Sequence, residues 1–352
     1  MKKSVKATGR IEVCPVCDGI SRRNFLQGVG RAIAAGAATT VIPGSFAFAA
    51  ASRPAATESK PAETFVKMLY DTLTPAQRKI MHMPFDHKLR SHVANNWHIV
   101  DEKEGAIGKL YTSDQKELIR QIFRGVTSEE GYEKFQKQMK DDSGGFEKYT
   151  CAIFGEPGAN RFEWVMTGRH LTIRADGNSV ENTAFGGPIF YGHAVTAEET
   201  PDHPGNVWWH QGKLANKVFQ ALDGKQRESA LLSEDPADDE STVMLRGPRA
   251  NFPGLAAGNM SKDQKQLLEE TLKSLLAMYR QSDVEEVLAC LKANGGLDAL
   301  HLSFFKSGDL GNDGIWDRWR VEGPAFAWYF RGSPHVHTWV NVAHYAQRKD
   351  RV

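Results

Sequence analysis

Two histidines stand two residues apart near the C-terminus, in the stretch "WYFRGSPHVHTWVN" at 328–341. The aromatic residues and valines around them predict a β-strand, and residues i and i+2 of a strand point to the same face. We therefore expect the imidazoles of His335 and His337 to lie side by side. Such a pair supplies two ligands of a metal site, which needs three or four.

A third imidazole, that of His170, follows Gly168 in the predicted strand "RFEWVMTGRHLTIR" at 161–174. If this strand lies next to the one that carries the pair, three histidines converge and leave one coordination position open, as in catalytic zinc sites. His98 and His193 are further candidates, each as a fourth ligand or a proton-transfer group. The sequence thus predicts a divalent metal ion, and zinc, copper and iron all accept imidazole ligands.

Three functional classes remain open on these residues. The first is a metal-dependent hydrolase or oxidoreductase that acts on a small-molecule substrate through a metal-activated water. The second is a small-ligand-binding protein without catalysis, whose cleft is lined by some of the eight tryptophans. The third is a structural envelope protein whose histidines are only packed. Two carboxylates, those of Glu163 and Asp86, are weaker candidates for completing a metal site.

The N-terminus has the pattern of an export signal. The stretch "SRRNFLQ" at 21–27 matches the twin-arginine motif, with Arg22 and Arg23 as the arginine pair. An Ala/Gly-rich run follows, and "AFA" at 47–49 predicts a cleavage site. We expect a signal peptide over 1–49, a linker over 50–64, and export by the twin-arginine translocase to the periplasm or the extracellular space. The run is interrupted by arginine and proline, so it is a poor transmembrane helix, and no stable membrane span is expected after cleavage.

Charge and cysteine usage exclude some classes of protein. Removing the seven basic and two acidic residues of the leader from the totals of 44 and 43 leaves 37 and 41, a net charge of −4. This balance argues against nucleic-acid binding, which usually shows a basic surplus. Cleavage also removes the "CPVC" at 14–17, and the remaining Cys151 and Cys290 are too few for a disulfide scaffold. The sequence leaves open whether they pair.

The elements that must position these histidines occur twice along the chain. Four stretches have the spacing of a capping box, a Thr, Ser or Asp followed three residues later by Gln. The glutamines are 149 residues apart in each of two pairs, and a Trp and Gly at 164 and 168 recur 155 residues later. We interpret the pattern as an internal duplication. It predicts an α+β fold of two related halves, 65–200 and 201–352, each with helices followed by antiparallel strands, in one compact unit.

Four stretches in a fixed order resemble one bacterial family. They are "PFDHKLRSHVANNWHIV", "FGEPGANRFEWVMTGRHLTIR", "GGPIFYG" and "VEGPAF" with the later "HVHTWV". The family is known only as domain of unknown function 3500. Its recurrent glycine-histidine strand and terminal HxH match His170, His335 and His337.

This chain departs from the family pattern at two places. Arg169 stands where a second histidine is usual, and "FAWYF" stands where an acidic residue precedes the HxH. The resemblance implies an exported or cell-envelope protein and implies no activity. A further segment, "SEDPADDES" at 233–241, is expected to be a solvated acidic loop.

Overall fold

All four capping boxes begin an α-helix in the computed structural model, which describes residues 61–344 apart from 159–160, 178, 196–204 and 312. In each box the side chain of the cap accepts from the backbone of the glutamine, and the glutamine side chain accepts from the backbone of the cap. The predicted signal peptide and the boundary between the predicted halves lie outside the described residues.

In its described residues the first half contains six α-helices and five strands. The helices are Pro61–Thr72 (α1), Pro75–Met81 (α2), Glu102–Gly105 (α3), Ile107–Leu110 (α4), Ser113–Gly125 (α5) and Glu129–Ser143 (α6). The strands are His82–Met83 (β1), Thr150–Gly155 (β2), Phe162–Gly168 (β3), Leu171–Ala175 (β4) and Ile189–His193 (β5).

The part of the second half that the structure describes contains four α-helices and six strands. The helices are Trp209–Ala221 (α7), Gly224–Ala230 (α8), Lys262–Leu276 (α9) and Gln281–Ala293 (α10). The strands are Leu231–Leu232 (β6), Leu255–Ala256 (β7), His301–Phe305 (β8), Arg318–Gly323 (β9), Phe326–Arg331 (β10) and Val336–Val342 (β11). The predicted α+β class is confirmed.

All the strands belong to one mixed sheet, in which the two halves meet edge to edge. Its order is β1-β2-β3-β4-β5-β11-β10-β9-β8-β6, with β7 paired to β8. Counted inward from either edge, a two-residue strand runs parallel to its neighbour, three antiparallel strands follow, and β5 and β11 pair at the centre. This order is the one that two equivalent halves would produce, although common ancestry of the halves stays a prediction.

A second contact joins the halves through the backbone. Thr127 and Tyr279 form an antiparallel bridge. Ser128 N donates to Met278 O at 3.0 Å, and Arg280 N donates to Val126 O at 3.3 Å. Residue 278 lies 152 positions after residue 126, and residue 280 lies 152 positions after residue 128. The two hydrogen bonds therefore join corresponding pairs of positions in the two halves, with donor and acceptor exchanged.

The two faces of the sheet are covered differently. Helices pack on one face, as where the ring of Phe135 on α6 meets Tyr191 on β5 at 6.0 Å between centroids. Irregular segments cover the other face, where Val93 and Val243 join a buried cluster with Phe190 and Trp339. Alternation along β11 puts His337 and Trp339 on this second face. No helix in the described part of the chain combines the length and hydropathy needed to cross a bilayer.

Candidate metal centre

Three histidines from distant parts of the chain meet on the face that the irregular segments cover. The Nε2 atom of His337 lies 3.0 Å from Nε2 of His335 and 3.2 Å from Nε2 of His170. One ligand atom from each residue lies within 4.8 Å of the others. His170 and His337 are 1% and 3% exposed, whereas His335 is only partly buried. The centre is therefore closed on two sides and reaches solvent beside His335.

The fold delivers His170 through the tight turn between β3 and β4. Arg169 and His170 form this turn, and His170 has a left-handed backbone conformation with φ of 58°. Few non-glycine residues adopt that conformation, which costs about 1–2 kcal/mol. Its carbonyl accepts hydrogen bonds from Gly192 N at 3.1 Å and from Gln138 Nε2 at 2.6 Å. The surrounding chain thus fixes the conformation that turns the imidazole inward.

Glycine at position 192 leaves room for the imidazoles. A Cβ atom there would lie 3.3 Å from the ring of His337 and 3.4 Å from Cβ of His170, and it would overlap Val336 O. Gly192 pairs with His337 across β5 and β11. Residue 335 immediately precedes β11, yet its ring lies on the same side as that of His337, as the HxH spacing predicts.

A carboxylate orients each of the two buried rings; the side chain of Asp142 is fully buried and that of Asp238 is partly buried. Asp142 Oδ2 lies 2.9 Å from Nδ1 of His170, and Asp142 Oδ1 accepts from Ala194 N at 3.0 Å. Asp238 Oδ2 lies 2.8 Å from Nδ1 of His337. A carboxylate only accepts, so each Nδ1 carries a proton, and a ring of this tautomer presents the lone pair of Nε2 to the centre.

Several donors hold Asp238 in its ionised form. Arg331 donates to Oδ2 at 2.6 Å, and Trp339 Nε1 donates to Oδ1 at 2.8 Å. Burial opposes ionisation, but the hydrogen bond from His337, the charge of Arg331 and the hydrogen bond from Trp339 outweigh it and hold the pKa of Asp238 well below its ordinary value. Burial also lowers the pKa of His337 to about 3 and that of His335 to about 4. Both imidazoles are therefore neutral at pH 7.

The arrangement fits a cation better than it fits an empty hydrogen-bonded cluster. When each ring carries its single proton on Nδ1, the Nε2 atoms of His170 and His337 face each other at 3.2 Å as two acceptors. Nδ1 of His335 is buried and has no hydrogen-bond partner among the described residues. Nitrogens that share a tetrahedral zinc ion with bonds near 2.05 Å are about 3.3 Å apart. The observed separations of 3.0 and 3.2 Å lie close to that value.

The other two predicted candidates make contacts of their own. Nε2 of His98 pairs with Glu102 at 3.2 Å. His193 uses both ring nitrogens, one with Asp141 Oδ2 at 3.0 Å and the other with Val207 N at 3.1 Å. Neither belongs to the group of three. Their predicted role as a fourth ligand or a proton-transfer group stays a prediction.

The carboxylates that the sequence suggested are placed elsewhere. Glu163 is buried between Arg90 and Arg174, at 2.8 and 2.7 Å, and Asp86 is exposed. The carboxylates that do contact the centre, Asp142 and Asp238, were missed. The expectation of a solvated acidic loop at 233–241 is wrong for Asp238, which turns inward. The pattern "PADD" gave no sign of this, because its partner lies 99 residues away.

A cleft of about 660 Å³ opens beside the centre on the same face. Residues 88 and 91–95 form one wall, residues 238–241, 243 and 244 form the other, and Trp339 lies at the floor. Two of its lining residues contact each other, with His92 Nδ1 3.2 Å from Glu240 Oε2. Asp238 lines the cleft, so the cleft meets the centre behind the His337 ring.

The comparisons with known proteins define a class. The chain matches the family described as "Protein of unknown function (DUF3500)" over residues 55–348. This match spans most of the chain, so the chain belongs to that family. No similar curated protein and no similar solved structure was found. Among the described residues, Cys151 and Cys290 are buried and form no disulfide.

Proposed function

We propose that this protein is an exported metalloenzyme that binds one divalent ion through Nε2 of His170, His335 and His337 and hydrolyses a small molecule. The observation that carries the proposal is the convergence of two buried Nε2 lone pairs whose opposite nitrogens are fixed by Asp142 and Asp238. Metal-ligating histidines typically have this second hydrogen bond to a carboxylate.

Each residue has a distinct part in the proposed chemistry. Asp142 and Asp238 fix the tautomer and angle of their rings, and burial of His170 and His337 excludes water from one side. The partial exposure of His335 leaves the other side accessible to a substrate. A bound divalent ion would supply Lewis acidity and lower the pKa of a coordinated water toward neutrality. Hydrolysis is the favoured reaction class because three neutral imidazoles leave the positive charge of the ion unquenched.

Metal analysis of the protein purified from its native export route tests the proposal. We expect about one equivalent of a transition metal in the wild type and less than a tenth in the His337→Ala variant. His82→Ala is a matched control, since His82 instead contacts Gly155 O at 2.8 Å. His98→Ala and His193→Ala decide whether either is a fourth ligand. Wild-type protein without stoichiometric metal after loading with zinc, copper and iron would overturn the proposal.

A second candidate function rests on the cleft over Trp339. Its volume of about 660 Å³ is in the range of small-ligand sites, so the chain would capture a small molecule without chemistry. A protein that binds ligand equally with and without metal, and shows no turnover, would favour this reading.

Export is proposed on the leader sequence alone. The pair Arg22 and Arg23 in "SRRNFLQ" supports passage through the twin-arginine translocase. Replacing both by lysine should retain the precursor in the cytoplasm, and cell fractionation with an antibody to the mature chain measures this. Unchanged export of the double variant would contradict the assignment.

A further inference from the structure

On the premise of the proposed metal centre, we infer that Arg331 is a positioning residue, which ties the ligand His335 to the carboxylate of Asp238. Arg331 does not coordinate the metal and acts only through the two groups that its guanidinium contacts. The inference adds to the proposed function the residue that holds the most exposed of the three ligands in place.

The register of the sheet places Arg331 beside the centre. Arg331 ends β10, where it pairs with His337 on β11 on one side and with Arg318 on β9 on the other. Side chains that stand directly opposite each other in neighbouring strands lie close together on the same face. The three side chains therefore form one row across three strands, with the metal ligand at one end.

The guanidinium of Arg331 contacts two different segments of the chain. Nη1 donates to Asp238 Oδ2 at 2.6 Å, and Nη2 donates to His335 O at 3.3 Å. Asp238 Oδ2 is also the oxygen that lies 2.8 Å from Nδ1 of His337. One side chain therefore connects the backbone of His335 to the carboxylate that orients His337. The side chain of Arg331 is only 12% exposed, so water competes little for these contacts.

The contact matters most for His335. His337 lies inside β11 and is paired on both sides, to Gly192 and to Arg331, whereas His335 precedes the strand. Nδ1 of His335 is buried and has no hydrogen-bond partner among the described residues, so no carboxylate orients this ring there. Loss of Arg331 should therefore loosen the exposed ligand more than the two buried ones.

Arg318 makes the same pair of contacts one strand further from the centre. Its Nη1 donates to Asp235 Oδ2 at 2.5 Å, and its Nη2 donates to Ser333 O at 3.1 Å. Like charges directly opposite each other destabilise a sheet, and here each arginine has its own aspartate. Both arginines thus join the segments 235–238 and 333–335, but the described contacts of Arg318 include neither a ligand nor an orienting carboxylate. Arg318 is therefore the matched control.

Metal competition and visible absorption of the cobalt(II)-loaded protein test the inference. We expect Arg331→Met to lower the cobalt affinity about 10–100-fold, the loss typical of an outer contact of a metal site. The visible bands of cobalt should also weaken, because water replaces a loosened His335 and the four-coordinate geometry is lost. A loss of fold stability alone would leave the bands of the bound metal unchanged.

Arg331→Lys separates positioning from charge. The ammonium keeps a positive charge beside Asp238, but it is a point charge and lacks the planar fork that spans two acceptors. We expect this variant to bind cobalt at least about fivefold more weakly than the wild type, with weakened bands. Wild-type affinity and bands in Arg331→Lys would show that only the charge matters and would overturn the inference. The lysine variant also serves where Arg331→Met does not fold.

The control and the wild type separate this inference from the proposed function. Arg318→Met should lower the free energy of unfolding, measured with urea, by an amount similar to that for Arg331→Met. It should nevertheless leave the cobalt affinity and the bands unchanged. An equal loss of cobalt affinity in both variants would assign the effect to the whole turn and overturn the role of Arg331, with the centre left standing. A wild type that takes up no cobalt would overturn the proposed function itself.

Discussion

The two halves of the molecule build the same hairpin turn, and only one turn carries a histidine. Arg169 and His170 connect β3 to β4, and Pro324 and Ala325 connect β9 to β10. His170 O accepts from Gly192 N at 3.1 Å, and Ala325 O accepts from Ala343 N at 3.0 Å. His170 is left-handed, whereas neither residue of the second turn has a positive φ. The backbone strain therefore accompanies the candidate ligand and is not required by the hairpin.

Charge is reversed between the halves at the start of the same strands. Glu163 begins β3 between two arginines, while Arg318 at the start of β9 binds Asp235 at 2.5 Å. Asp235 also accepts from Tyr329 Oη at 2.9 Å. Glu163 is fully buried, and the side chains of Arg318 and Asp235 are 17% and 16% exposed. Matching positions thus accept either sign of charge, provided that the neighbouring residues supply the opposite one.

Making the first turn resemble the second should have the largest effect. His170→Ala removes a ligand, and we expect metal affinity to fall by about a hundredfold or more, because each ligand of a three-coordinate site contributes roughly 3 kcal/mol or more. Competition with a chromogenic chelator measures this. The reverse change, Ala325→His, should not create a second site, since no HxH lies beside that turn. Retention of wild-type affinity by His170→Ala would refute the assigned ligand set.

The reversed charges should differ in how much they stabilise the fold. Glu163→Gln leaves two buried guanidiniums without a counter-charge, and we expect the free energy of unfolding to fall by about 3–5 kcal/mol. Asp235→Asn affects a partly exposed pair and should cost roughly 1–2 kcal/mol. Urea denaturation of both variants measures the difference. Equal losses would show that burial does not distinguish the two sites.

The helix that precedes each hairpin offers a third comparison. Asp142 near the end of α6 orients His170, whereas Asn294 after α10 contacts Nδ1 of His344 at 3.1 Å. Asp142→Asn gives the first half the amide that the second half has. Loss of such an outer carboxylate typically weakens metal binding about 10–100-fold. Asn294→Asp is the matched control and should leave metal affinity unchanged; a shift of similar size in both would indicate a general effect on stability.

Burial of His335 and His337 should make the metal-free protein less stable as the pH is lowered. The folded pKa values of His335 and His337, about 4 and about 3, lie below the unfolded value of about 6.5. Below pH 6.5 the two histidines of the unfolded chain bind protons that those of the folded chain do not. The free energy of unfolding therefore decreases by roughly 1–2 kcal/mol for each unit by which the pH is lowered. Denaturation from pH 7 to pH 4.5 measures this. The His335→Gln/His337→Gln variant should show a shallower slope, and an unchanged slope would contradict the burial effect.

Contacts between residues close together in the sequence could be predicted, whereas contacts between residues far apart in the sequence mostly could not. The capping boxes were predictable because cap and glutamine are three residues apart. The shared side of His335 and His337 was predictable because a strand has a period of two. The approach of His170 to them required only that similar strands share one sheet, and the geometry agrees with it.

The two carboxylates that orient the histidine rings could not be predicted from such short spacings. Asp142 and His170 are 28 residues apart, and Asp238 and His337 are 99 apart. The segment around Asp238 has the composition of a solvated loop, and the partners that hold its carboxylate, Arg331, His337 and Trp339, all lie more than 90 residues further along the chain. His98 and His193 were predicted as a fourth ligand or a proton-transfer group, and the sequence did not reveal that Glu102 and Asp141 contact their rings.

The central pairing of β5 with β11 means that the metal ligands are divided between two pieces of chain. A break between residues 195 and 205 would leave His170 on one fragment and His335 with His337 on the other. Each fragment would present the strand edge that completes its counterpart, a geometry suited to reassembly by complementation. Metal uptake by the mixture, and by neither fragment alone, would then act as a built-in reporter that the two pieces had joined.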